Sequence, residues 1–120
     1  MRLLANESIA GLGIKSIVVG TARNVDPKAP LPDAFLKKQR EMEDWALGCD
    51  MSEVLDHPVV QGYRDLLQSV GRSAKRNPPT VPALIRNIQH RGSIPHINSI
   101  IDIYNVESLR SLLAIGGHDL

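Results

Sequence analysis

The side chains of this chain best suited to chemistry lie in its last quarter. The segment Ile97-Asn98-Ser99-Ile100-Ile101-Asp102-Ile103-Tyr104-Asn105 is followed eleven residues later by Gly116-Gly117-His118-Asp119-Leu120. Asp102 and Asn105 are three apart, so a helix would set them on one face. An asparagine amide both donates and accepts, which suits reading the ammonium and carbonyl groups of an amino acid. A glycine pair lets backbone N–H groups approach a ligand closely. Read from the residues alone, the same pattern also fits Asn and Asp as helix caps with glycines in a turn.

Other chemistries find less footing. Cys49 is the lone cysteine, which excludes an internal disulfide and fits a reducing compartment. His57, His90, His96 and His118 do not pair with each other or with Cys49 at metal-ligand spacing. No metal or other cofactor is expected. Neither a nucleophile elbow nor a phosphate loop nor a dinucleotide fingerprint is present, and no serine has an identifiable base. The catalytic residue is therefore unassigned.

Charge is segregated although the net charge is only +1. Asp33 to Asp56 holds seven acids against three bases, whereas Arg64 to Arg91 holds six bases against the single acid Asp65. The bases Arg64, Arg72, Lys75, Arg76, Arg86 and Arg91 form either a solvated basic helix pair or a surface for RNA phosphates. Arg72, Lys75 and Arg76 are the candidate phosphate contacts. With four aromatic residues (Phe35, Trp45, Tyr63, Tyr104), no base-stacking platform is evident.

The elements that must position these groups follow from periodicity. Gly11-Leu12-Gly13 precedes Ile14, Ile17, Val18 and Val19, a β-branched run that reads as a largely buried strand ending near Arg23–Asp26. Pro27, Pro30 and Pro32 make a stiff connection. A helix is expected from Asp33, as N-cap, to about Cys49, and another from Asp56-His57-Pro58 to Val70, stopped by Gly71. Arg72–Pro79 reads as a basic loop. Thr80 is expected to cap a short helix that Gly92 ends, and Ile97–Leu113 follows helical spacing with Gly116-Gly117 in the loop beyond. At 120 residues, 42% hydrophobic and 22% charged, the chain has room for one soluble domain. It shows neither a secretory signal nor a run of the ~20 apolar residues that span a bilayer, so no membrane partner and a cytoplasmic location are expected.

Several of these blocks carry a resemblance. His57-Pro58 before a helix, Arg72–Pro79 followed by Thr80-Val81-Pro82-Ala83-Leu84, then Asp102-Ile103-Tyr104-Asn105 and Gly116-Gly117-His118-Asp119-Leu120 resemble the B-three/B-four tRNA-editing family. That family is typified by the editing domain of the phenylalanyl-tRNA synthetase β-subunit, and the likeness is closer to its stand-alone members. It covers nearly the whole chain and runs without gaps from Asn98 to Leu120.

The resemblance implies hydrolysis of the ester of a mischarged aminoacyl-tRNA in trans, a proofreading step that adds selectivity beyond binding. A positioned water would attack while polar or backbone groups stabilise the oxyanion. Asn105 matches a pocket asparagine of the family, and Asn98, Tyr104, Gly116 and Gly117 complete the implied substrate-binding set. Tyr104 falls where the synthetases usually have threonine, and Gly116 where many bacterial ones have a histidine implicated in editing. The side-chain pocket should thus differ from one that accepts tyrosine. Family domains also continue past the Asp-Leu pair into further strands.

The expectation is therefore an α+β fold, a partial sheet flanked by several helices. Residues 1–120 would form a single B-three/B-four-like domain corresponding to the N-terminal part of the family domain. tRNA or aminoacyl-tRNA is the expected partner, with a homo-oligomer as a way to cover exposed apolar surface. Alternative readings are a non-catalytic module for tRNA or a free amino acid, and an inactive fragment of a longer editing protein.

Overall fold

The computed structural model describes Leu4 and residues 7–119, and among these every regular element is a helix. They are α1 (Glu7–Ala10), α2 (Asp33–Gly48), α3 (Met51–Asp56), α4 (Pro58–Ser69), α5 (Thr80–Arg91) and α6 (Ser99–Ser111). No strand occurs among the described residues, which overturns the expected α+β fold and the partial sheet implied by the resemblance.

The misread segment is the β-branched run. Ile17, Val18 and Val19 are 57%, 95% and 49% exposed and pair with no other described segment. β-propensity expresses fit to a pleated, half-buried surface rather than a backbone preference. With no neighbouring strand to supply that surface, the run lies open. It also helps explain a radius of gyration of 15.7 Å, against about 14 Å for a compact domain of this length.

The helices are punctuated much as the sequence implies. Pro58 occupies the first turn of α4, where its missing N–H costs little, and His57 Nδ1 accepts the Val59 N–H at 3.3 Å. At the other end Gly71 takes φ 74°. Its N–H donates to Gln68 O at 3.0 Å, and Arg72 N–H to Leu67 O at 2.9 Å. This pair of bonds is a Schellman stop, which closes the carbonyls a helix end leaves open. Gly92, at φ 90°, ends α5 by the same left-handed route.

Three details depart from the sequence reading. Asp33 is the first residue of α2 and Pro32 takes the cap position, so no side chain caps that helix. Thr80 likewise opens α5 rather than capping it, with Pro79 before it. The stretch between Cys49 and Asp56 forms a helix of its own, α3, capped by Asp50 Oδ1, which accepts the Ser52 N–H at 2.8 Å.

The core is built around α5, which buries Val81, Pro82, Leu84, Ile85 and Ile88 and packs on α2, α3 and α6. Ala46, Val54, Val60, Ile94, Val106 and Leu109 complete the same cluster. All are small or aliphatic, as expected of a chain with so few aromatics. Full burial of each larger aliphatic side chain contributes about 1.5–3 kcal/mol, which makes α5 the best-anchored element.

Candidate functional site

Helix α6 positions most of the candidate residues, and its start is held by side chains. Asn98 Oδ1 accepts the N–H groups of Ile100 and Ile101, both at 3.0 Å. These are donors left without helical partners in a first turn, so Asn98 is an N-cap. Asp102, 3% exposed, accepts the Ile97 N–H at 3.2 Å and meets His96 Nδ1 at 2.5 Å. Ser99 ties the proline-rich connection down: its N–H donates to Pro27 O at 3.0 Å and its hydroxyl to Ala29 O.

One turn further on, Asn105 is 8% exposed, and its amide makes no side-chain hydrogen bond among the described residues. Among the described residues no sealed side-chain polar atom lacks a partner, so the amide tip keeps some access to solvent. Tyr104 stands beside it, facing the tail that leaves α6. A Cβ on Gly117 would lie 3.3 Å from the Tyr104 ring, closer than most neighbours tolerate, whereas one on Gly116 would meet nothing. The tail is held by Tyr63 Oη, which accepts the Ala114 N–H at 3.0 Å, and by the buried Ser108 hydroxyl, which accepts the Ile115 N–H at 3.2 Å.

The structure therefore divides the predicted substrate-binding set. Tyr104 and Gly117 meet where the tail passes α6, and Asn105 is the next, more deeply buried residue of that helix. Asn98 sits at the helix start with its oxygen engaged as a cap, and Gly116 is exposed. The capping alternative describes Asn98 and Asp102, while Asn105 keeps unused hydrogen-bonding capacity.

The basic residues converge elsewhere. Arg64 of α4, Lys75 of the intervening loop and Arg86 of α5 line one cleft of about 190 Å³ together with Pro78, Pro79 and Pro82. None of the three cations makes an ion pair or side-chain hydrogen bond among the described residues. Arg72 and Arg76 are exposed on the same loop but do not line the cleft. Sequence reasoning placed Arg64 and Arg86 in the basic stretch without singling them out, because their meeting depends on how α4 and α5 pack.

Other groups are spoken for. Burial pushes the Cys49 thiol above its ordinary pKa, with Asp50 and Glu53 adding to the rise, so it stays protonated near neutrality. Glu107 is held below the usual glutamate range by hydrogen bonds from Lys38 and Arg110. No group of three His, Cys, Asp or Glu among the described residues can hold a metal ion. No described helix is long and apolar enough to cross a membrane.

Comparisons with protein-family models, with curated proteins and with solved structures find no match to this chain.

Proposed function

We propose that this chain is a cytoplasmic tRNA-binding domain of the aminoacyl-tRNA-editing kind, hydrolysing the ester of a mischarged aminoacyl-tRNA in trans. The observation that carries this reading is the gathering of Arg64, Lys75 and Arg86, unpaired, around one cleft beside Arg72 and Arg76. Like charges brought together without acids repel one another, and a polyanion relieves that repulsion while releasing its own counterions. Asn105 supports the aminoacyl end of the reading. Its amide, nearly enclosed yet unpartnered, is suited to hydrogen-bond an ammonium or ester carbonyl beside Tyr104.

A second reading, a binder without chemistry, is favoured by one feature of α6. Its buried carboxylate, Asp102, is already engaged by His96 and the Ile97 N–H, and no other acid or histidine lies next to Asn105 on that face. On α6 itself a water could then be positioned only by neutral groups.

Binding and deacylation assays separate these readings. Retention of tRNA on a filter should weaken steeply with salt, and Lys75→Ala and Arg76→Ala should each flatten the log–log slope by about 1. Ester hydrolysis across a panel of mischarged tRNAs, lost in a folded Asn105→Ala variant, would establish editing. Salt-sensitive binding without hydrolysis would leave the binder. Absence of tRNA binding at low salt would sink both.

A further inference from the structure

We infer that the cleft between α4 and the first turn of α5 is a binding site for a terminal phosphate, a phosphomonoester held by Arg64, Lys75 and Arg86. This goes beyond recognition of a tRNA backbone, because the geometry selects one kind of phosphate and does not require that the ligand be tRNA.

The cleft is positive from several sources at once. Arg64 and Arg86 come from two different helices and Lys75 from the loop between them, so three formal charges surround one small volume. Asp65, the one acid between Arg64 and Arg91, does not line it. Lys38 and Arg110, by contrast, share Glu107 at 2.8 and 2.7 Å and carry no free charge of this kind. The first turn of α5 forms part of the wall through Pro79 and Pro82, and no side chain among the described residues caps that turn. The helix dipole therefore adds its positive end to the three side chains.

Size and charge narrow the ligand. At about 190 Å³ and open to solvent, the cleft is smaller than the ~300–1,000 Å³ of sites that enclose whole small molecules, so it seats a group whose remainder lies outside. An internal phosphodiester carries a single charge and is flanked on both sides by sugars, which hold it out of a recess. A monoester carries about −1.5 to −2 near neutrality and has one substituent, so its three free oxygens can enter first. Guanidinium groups match phosphate oxygens with paired N–H donors. Pro78, Pro79 and Pro82 stiffen the lining, which limits the ordering cost of binding.

The test begins with inorganic phosphate titrated into the folded chain, followed by amide resonances in a heteronuclear NMR spectrum at constant ionic strength. Saturable shifts at Lys75, Thr80 and Val81 are expected, with affinity falling about tenfold in Arg86→Gln or Lys75→Gln. Unsaturable shifts, or equal binding by an Arg64→Gln/Lys75→Gln/Arg86→Gln variant with native circular dichroism, would overturn the assignment. A second arm compares 5′-phosphorylated and 5′-hydroxyl oligoribonucleotides of one sequence. Preference for the phosphorylated strand, lost in Arg86→Gln, assigns the cleft to an RNA end. Phosphate binding without that preference supports the site and gives it to a small phosphate ester. Phosphate binding by a chain that does not retain tRNA would sink the tRNA reading alone.

Discussion

Gln89 on α5 reaches the end of α2, where its Nε2 donates to the carbonyl of Ala46 at 3.0 Å and to that of Cys49 at 3.2 Å. The last carbonyls of a helix have no partner within it, and here a side chain 43 residues away in sequence supplies one. Gln89→Ala should lower the unfolding free energy by about 1 kcal/mol in urea titrations, since the Cys49 carbonyl loses the amide and the Ala46 carbonyl keeps only the weaker Cys49 thiol, at 3.4 Å. An unchanged midpoint would show that water replaces the amide at no cost.

Asn98 offers a clean separation of structural and ligand roles. Asn98→Ala should cost about 1 kcal/mol, whereas Asn98→Asp or Asn98→Ser should hold stability close to that of the parent, because either keeps an oxygen for the Ile100 and Ile101 N–H groups. Thermal melts of the three variants decide it. Equal melting of all three would remove the cap from the account of α6.

Glu107 gives an acid limit to stability. Its folded pKa lies below its ordinary value of 4.5 because Lys38 and Arg110 donate to the ionised carboxylate. A group with a depressed folded pKa stabilises the native state above its unfolded value and loses that contribution as pH falls through the folded one. Stability should therefore be level near neutrality and decline below about pH 4.5, with Glu107→Gln showing a shallower decline. The partners are partly exposed, so added salt should shrink the difference. Parallel pH profiles for the two proteins would refute the assignment.

Val18 tests the all-helical description. At 95% exposure its side chain contributes nothing to the core, so Val18→Asp should leave the unfolding free energy within about 0.5 kcal/mol of the parent. A loss of several kcal/mol would mean that the β-branched run is buried in the folded protein.

What the residues announced in advance were the helices that carry their own punctuation. Pro58 and Gly71 bracket α4 and Gly92 closes α5, each acting through bonds within a few positions, whereas Asn98, read as a substrate contact, caps α6. The short α3 went unread although Asp50 and Glu53 have capping-box spacing, because six residues hold too little periodicity to stand out. Ile14 through Val19 misled for the opposite reason. Their strand propensity is real, but a strand is made by its partner, and no local rule reveals that none comes alongside. The candidate site splits along the same line. Asn105 could be singled out by type and position, whereas the meeting of Arg64 with Arg86 is created by packing between helices.

The central place of α5 has a consequence for how this protein is made. Synthesis runs from the N-terminus, so α2, α3 and α4 emerge from the ribosome ahead of residues 80–91. Helices α3 and α4 can touch each other early, but Ala46, Val54 and Val60 wait for Ile85 and Ile88 to complete their cluster. Until then the nascent chain presents bare aliphatic faces, and its need for a chaperone is concentrated in the interval before α5 emerges.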